Sequence, residues 1–185
     1  MQARILLSLA VGVVLGSAPT FASGAAAQDM DKDARIAKAL SAGPEALVAH
    51  ATVQEWGGAV LRPGTNGYTC FPDMGADGRQ MCLDGPWVQF LKALVEGAPP
   101  PAVTTVAVGY WLQGEYALSN EGPEAEGGMI FDGSPHIALL VPEEIRAALP
   151  TTPSSGAPWV MWADTPYAHV MVLAPRRPVD VPDSR

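Results

Sequence analysis

The sequence predicts an α+β fold, in which a mainly antiparallel sheet of five to seven strands carries two to four packed helices. A single domain is expected to span residues 28–175. Residues 84–96 show apolar side chains at helical spacing, whereas most of the chain offers short β-branched and aromatic runs bounded by turn residues. With 19 Gly and 18 Pro among 185 residues, the domain should also be rich in loops.

The amino terminus has the layout of a secretory signal peptide, predicted to cover residues 1–27. Arg4 supplies a positive start, Ile5 to Leu15 form an apolar run, and small residues continue to Ala27. Cleavage is expected after Ala22 or Ala27. The run is shorter than the roughly 20 residues that a membrane-spanning helix needs. We therefore expect an exported protein, periplasmic or secreted, with no membrane span in its mature form.

Two helices and three strands are predicted next. Residues 31–42 combine a helical apolar stripe with acidic residues at the amino end, where the helix dipole favours negative charge. Pro44 suits the first position of a short helix at 44–50. The pair Asn66-Gly67 is a strong hairpin signal, because both residues tolerate a left-handed backbone. The strands predicted around it are 52–56, 59–62 and 68–71.

The segment 84–96 is the clearest helix in the chain. Asp84 can cap its amino end, and Pro86 suits its first turn. Its apolar stripe predicts that it packs across one face of the sheet. The stripe consists of Trp87, Phe90, Leu91, Leu94 and Val95.

The remaining elements surround a long polar loop at 113–128. This loop exceeds the usual connection length, which leaves two alternatives open, a functional flap or a mobile segment. A carboxyl-terminal tail, 176–185, is expected to fray. The strands predicted here are 103–112, 136–141, 159–162 and 167–173, and the helix is 142–149.

Cys70 and Cys82 are expected to form a disulfide. An even pair of cysteines in an exported chain is typical of such a bond. The alternative, a redox or nucleophilic thiol, needs an activating neighbour that the adjacent residues do not supply.

Two of the predicted strands begin alike, with His136 and with His169. Side chains alternate across a strand, so each histidine lies on the face opposite the branched residues that follow it. We expect the branched face to be the core and the histidine face to border a pocket. Imidazoles beside Met171 would suit copper or zinc. Parallel strands would bring the two histidines to one end of the sheet, whereas antiparallel neighbours would place them at opposite ends. Backbone carbonyls bonded to both rings are the alternative to a site.

Aromatic residues extend the candidate ligand site. Trp111 and Tyr167 lie on predicted strands, and together with His136 and His169 they could border a groove beside the long loop. Side chains at positions 159 and 162 are expected to face opposite sides of their strand. Strand aromatics also fit an ordinary core.

No pattern in the sequence specifies catalysis. The chain lacks the G-x-S-x-G elbow of many hydrolases, so no catalytic residue and no cofactor is assigned. Its formal net charge of −8, without a basic cluster, argues against nucleic acid as a partner. The partner is expected to be a small ligand or another protein.

Four short motifs occur together in this chain. They are Leu61 to Cys70, Met81 to Asp84, Ser119-Asn120 and Pro166 to Val172, and the second of them precedes a helix that carries a tryptophan. Over residues 35–175 the chain resembles an uncharacterised family of small exported bacterial proteins. That resemblance implies export and a single domain. It adds no catalytic residue, because the family has no established activity.

The sequence therefore favours an exported, non-catalytic protein that binds a small ligand or a partner. The alternative is a hydrolase-type enzyme or a copper- or zinc-handling protein that uses His136 and His169.

Overall fold

The structure, a computed structural model, describes residues 23–74, 78–153 and 156–174. The predicted signal peptide lies outside the described residues as far as residue 22, and the predicted tail at 176–185 lies entirely outside them.

The described residues form four helices and ten strands. The helices are α1 (Ser23–Leu40), α2 (Glu45–Val48), α3 (Gly85–Glu96) and α4 (Glu143–Arg146). The strands are β1 (Thr52–Gln54), β2 (Val60–Arg62), β3 (Tyr68–Phe71), β4 (Met81–Asp84), β5 (Ala107–Trp111), β6 (Leu118–Ser119), β7 (Ile130–Phe131), β8 (His136–Leu140), β9 (Trp159–Met161) and β10 (His169–Leu173). No helix in this part of the chain is both long and apolar enough to cross a membrane.

Eight strands form the main sheet, in the order β2-β1-β3-β4-β5-β8-β10-β9. All neighbours are antiparallel except β1 and β3, which run parallel. The α+β class is thus confirmed, but the expected count of five to seven strands was too low. The missing strand is β4, whose four residues run directly into α3 and therefore give no separate signal. A second, two-stranded sheet pairs β6 with β7, and β6 lies within the predicted loop 113–128.

Helix α3 is held at both ends as its sequence predicts. The Asp84 carboxylate accepts a hydrogen bond from the Trp87 backbone N–H at 3.0 Å, which caps the helix. Its second oxygen accepts from the Val108 N–H at 2.6 Å and so ties the cap to β5. At the other end, Gly97 has φ +63°, a left-handed conformation that glycine adopts without steric cost.

Both faces of the main sheet are covered. Helix α3 packs on the face that carries His136 and His169, where Ala138, Leu140 and Met171 are fully buried. On the opposite face of these strands, Ile137 and Leu139 are only half-buried. Val160 and Val170 on that same face are nevertheless buried in a cluster of their own, so the expected core on the branched face is present beside a second core on the histidine face. The histidine face is the more deeply buried one, because α3 rather than solvent lies against it.

The predicted disulfide is confirmed. Cys70 and Cys82 are directly opposite each other in the β3–β4 pair, with their sulfur atoms 2.06 Å apart. Both are buried beneath α1, in a cluster with Ala39, Ala42 and Val48. The bond therefore ties two adjacent strands inside the core and closes a loop with a sequence separation of 12.

Removing this disulfide should destabilise the protein. We expect the Cys70→Ala, Cys82→Ala double variant to lose about 2–3 kcal/mol of unfolding free energy, because the bond restricts the unfolded chain. Urea denaturation under oxidising conditions measures the difference. Reductant should bring the wild-type protein to the stability of the variant and leave the variant unchanged. Equal stability of the two oxidised proteins would contradict the expectation.

Candidate functional site

A cavity of about 210 Å³ lies between α3 and the histidine face of the sheet. Its wall is mainly apolar, formed by aromatic, thioether and aliphatic side chains beside two histidines and one ion pair. The aromatic lining residues are Trp87, Phe90, Trp111, Tyr116 and Trp162. The polar ones are Arg79, Glu115, His136 and His169, and the lining also includes Met161 and Met171.

The two histidines reach the cavity from opposite directions. Strands β8 and β10 are antiparallel, and their register places His136 opposite Leu173 and Met171 opposite Ala138. Both histidines therefore lie on one face but at opposite ends of the strand pair, which is the antiparallel one of the two alternatives that the sequence left open.

Two tryptophans fill the space between the histidines. The Trp111 ring stacks on His136 at a centroid distance of 5.3 Å and an interplanar angle of 10°. Trp87 meets Trp111 edge-on at 5.6 Å and meets His169 edge-on at 5.5 Å. We call His136, Trp111, Trp87 and His169, in this order, the ring row. It fixes both imidazoles, since each contacts a large and buried ring.

Both imidazoles are held in the same tautomer. Nδ1 of His136 lies 2.8 Å from the Ser134 carbonyl oxygen, and Nδ1 of His169 lies 2.9 Å from that of Tyr167. A carbonyl oxygen only accepts hydrogen bonds, so each Nδ1 carries the proton and each neutral ring keeps its lone pair on Nε2. The backbone-bonded alternative is thus observed for one nitrogen of each ring.

Burial keeps both rings uncharged at neutral pH. It lowers the pKa of His136 and of His169 to about 4, from the usual 6.5, against the opposing effect of the backbone hydrogen bonds. The cavity therefore offers neutral acceptors rather than cations.

The two Nε2 atoms differ in their surroundings. Nε2 of His136 lies 3.5 Å from Glu115 Oε1, and the other carboxylate oxygen of Glu115 lies 3.0 Å from the Arg79 guanidinium. Burial raises the pKa of Glu115, while Arg79 acts to lower it. A proton on Oε1 would be donated to the His136 lone pair and would remove the repulsion between two acceptors. For Nε2 of His169, no hydrogen-bond partner occurs among the described residues.

Sequence reasoning missed both Glu115 and Arg79. Glu115 is held by a hydrogen bond from its N–H to the Gly133 carbonyl at 2.8 Å. A Cβ atom at Gly133, whose φ is +74°, would overlap the Glu115 carbonyl. The glycine allows this close approach of two chain segments, but in sequence it looks like any other loop glycine. The long loop is thus part of the cavity wall.

Trp162 lies in the cavity because of its backbone conformation. Its φ is +57°, which is uncommon for a bulky residue and is found most often at functional positions. Strand β9 ends at Met161, and the turn at Trp162 brings its ring to 4.9 Å from His169. The expectation that Trp159 and Trp162 face opposite sides was wrong, because both lie in the same buried cluster.

The motif Ser119-Asn120 positions these tryptophans. Nε1 of Trp159 donates to Asn120 Oδ1, and Nε1 of Trp162 donates to the Ser119 carbonyl, both at 2.9 Å. Nε1 of Trp87, by contrast, is buried and finds no acceptor in the described part of the chain. Leaving a buried N–H unpaired costs free energy, so the Trp87 N–H is an unusual feature of the wall.

Three of the four sequence-predicted ligand residues, His136, His169 and Trp111, line the cavity, as does Met171. Tyr167 does not. Its ring packs against Phe90 at 5.9 Å, and its hydroxyl donates to the Ala98 carbonyl at 2.7 Å, which ties β10 to the end of α3. Within the described ranges, no three His, Cys, Asp or Glu side chains are grouped so as to hold a metal ion.

Comparisons of this chain with known protein families, with curated proteins and with solved structures found no match.

The buried histidines predict that the protein loses stability in mild acid. Their folded-state pKa of about 4 lies below the ordinary 6.5, so the unfolded chain binds protons first as the pH falls. The unfolding free energy should fall between pH 6.5 and 4, by about 3 kcal/mol for each histidine. Glu115 acts in the opposite direction in this range, because its pKa is raised. Urea denaturation at a series of pH values measures the dependence.

Substitution of one histidine tests how much it contributes to the loss of stability in mild acid. His169→Phe should remove about half of the loss, whereas His50→Phe, at an exposed position, should retain the wild-type dependence. An unchanged unfolding free energy from pH 7 to pH 4.5 in the wild-type protein would contradict the assignment of buried, neutral rings.

Proposed function

We propose that this protein is an exported, non-catalytic binding protein that takes one small and largely apolar molecule into the cavity between α3 and the sheet. The observation that carries the proposal is a partly open cavity of about 210 Å³ with a mainly apolar wall, in which five lining residues are Trp, Phe or Tyr. Ligand sites are commonly apolar concavities with a few fixed polar groups, which is the composition of this wall.

The size of the cavity supports a ligand of about one ring. An apolar cavity of roughly 150 Å³ is large enough to hold benzene. The cavity here is only moderately larger, and it is below the roughly 300 Å³ at which drug-sized ligand sites begin. A single ring with one or two substituents is therefore the expected scale.

The charges in the wall support a neutral ligand. Both histidines are uncharged at neutral pH, and Arg79 is already paired with Glu115. An ion that entered the cavity would lose its hydration without gaining an unpaired opposite charge, which is costly. Carboxylates and ammonium compounds are therefore poor candidates.

The mouth of the cavity is consistent with exchange from solvent. Tyr116 lines the cavity and is 48% exposed, and Val95, in the last turn of α3, lines it and is 56% exposed. The opening thus lies between the end of α3 and the loop 113–128. The position of this opening supports the groove that the sequence suggested beside that loop.

Export is part of the proposal. The signal-like amino terminus supports it, and so does the buried disulfide between Cys70 and Cys82, because such bonds persist in oxidising compartments.

A copper- or zinc-handling role is the second candidate, because Met161 and Met171 share the cavity with the two imidazoles. Elemental analysis of protein purified without chelator tests it. Stoichiometric metal that is lost in the His136→Ala, His169→Ala double variant would favour this role. The ring row argues against it, since two tryptophans lie between the imidazoles. A hydrolase-type enzyme using His136 and His169 gains support only from the contact between His136 and Glu115.

Toluene tests whether the cavity accepts a ring. We expect millimolar toluene to quench tryptophan fluorescence and to raise the melting temperature, because it contacts the ring row. Ala138→Leu should abolish both effects, since Ala138 lines the cavity and a larger side chain there would occupy it. Ala46→Leu makes the same change at an exposed position and should behave like the wild-type protein.

The proposal fails if folded wild-type protein shows neither effect. It also fails if a folded Ala138→Leu variant responds as strongly as the wild-type protein, because toluene would then bind elsewhere.

A further inference from the structure

We infer that the cavity recognises a neutral phenol, whose hydroxyl group donates a hydrogen bond to Nε2 of His169 and accepts one from Nε1 of Trp87. This inference rests on the proposed binding function and names the chemical class of the ligand.

His169 supplies a fixed and unused acceptor. Its Nδ1 proton is directed at the Tyr167 carbonyl at 2.9 Å, so the lone pair stays on Nε2. Among the described residues no donor reaches that atom. His136 is held in the same tautomer, but its Nε2 faces Glu115 at 3.5 Å. The two histidines are therefore not equivalent, and His169 is the one available to a ligand.

Trp87 supplies an unused donor beside this acceptor. Its Nε1 is buried without an acceptor in the described structure, and its ring centroid lies 5.5 Å from that of His169. By contrast, Nε1 of Trp162, which also lines the cavity, donates to the Ser119 carbonyl, and Nε1 of the buried Trp159 donates to Asn120 Oδ1. The two residues are neighbours that line the same cavity, so a single ligand group there could use both the donor and the acceptor.

A hydroxyl is the group that fits both atoms. It donates one hydrogen bond and accepts others through a single oxygen, whereas a carbonyl could serve only Trp87 and an ammonium only His169. The rest of the wall favours an aromatic ring on that hydroxyl. Phe90, Trp111 and Trp162 present ring edges and faces to the same space, and such arrangements favour aromatic partners.

The charge state of the hydroxyl follows from the wall. A phenol is neutral at pH 7, since hydroxyls of this kind ionise near pH 10. A phenolate or a benzoate would place a negative charge beside uncharged imidazoles. Binding should therefore weaken when the ligand ionises.

Three probe molecules of similar size separate the contributions of the ring, the hydrogen-bond acceptor and the hydrogen-bond donor to binding. Toluene has no hydroxyl, anisole can accept but not donate, and phenol does both. Titration of the purified full chain at pH 7, followed by tryptophan fluorescence and by calorimetry, gives the three affinities. We expect phenol to bind about tenfold more tightly than toluene and than anisole, which is the scale of one well-made hydrogen bond.

Substitutions at His169 and Trp87 test whether these two residues cause the preference for phenol over toluene. His169→Phe should remove the preference for phenol and change the affinity for toluene by less than about threefold, because ring packing is kept. Trp87→Phe removes the second hydrogen bond together with part of the indole ring, and it should reduce the preference for phenol over toluene partially. His50→Phe, the same substitution at an exposed histidine, should leave all three affinities unchanged.

The outcomes separate this inference from the function on which it rests. Equal or weaker binding of phenol, with toluene bound, would overturn the phenol assignment and leave the binding function standing. Absence of binding by all three probes would overturn both. A preference for phenol that persists in folded His169→Phe and Trp87→Phe proteins would overturn the assignment to these atoms. If His169→Phe does not fold, the comparison of phenol with anisole in the wild-type protein still decides whether the hydroxyl donates.

Discussion

The Asp84 carboxylate is the constraint on which the arrangement of this fold depends. It accepts from the Trp87 N–H at the start of α3 and from the Val108 N–H at the start of β5. Because β4 ends at Asp84 and α3 begins at Gly85, no loop separates sheet from helix. The direction of α3 is therefore fixed where it leaves the sheet, and its apolar stripe falls on the histidine face. The cavity is the space that remains there, bounded by rings too large and too rigid to close it.

Desolvation then determines the chemistry of that space. An isolated buried charge is costly, and the cavity wall contains charges only as the Arg79–Glu115 pair. Arg79 also lies over the Tyr116 ring at 4.1 Å, which gives the guanidinium a second favourable contact. The imidazoles respond to the same cost by staying neutral. What the cavity offers a ligand is therefore a set of oriented dipoles and ring surfaces, with little net charge.

Sequence reasoning predicted those parts of the fold that are marked by short sequence patterns. Asp84, the stripe of α3 and Gly97 mark one helix at both ends, and the even cysteine pair marks the disulfide. It missed β4, since four residues that merge into a helix cap carry no periodicity. It also missed β6, because a strand of two residues is too short to show a period. Glu115 and Arg79 were also missed, because they are 36 residues apart and only the tertiary fold joins them. Tyr167 was placed beside the ligand because it is an aromatic residue on a predicted strand, but its hydroxyl donates to the Ala98 carbonyl.

The state of the histidines favours recognition over catalysis. A general base works best when its pKa is near the operating pH, and both rings here have a pKa of about 4. The backbone carbonyls of Ser134 and Tyr167 hold the protons on Nδ1, so that neither ring can turn to present the other nitrogen without losing a hydrogen bond. A fixed, weakly basic lone pair is a poor proton acceptor but a good hydrogen-bond acceptor. In the binding function proposed above, that property would select a ligand by the position of its donor and would need no chemical step.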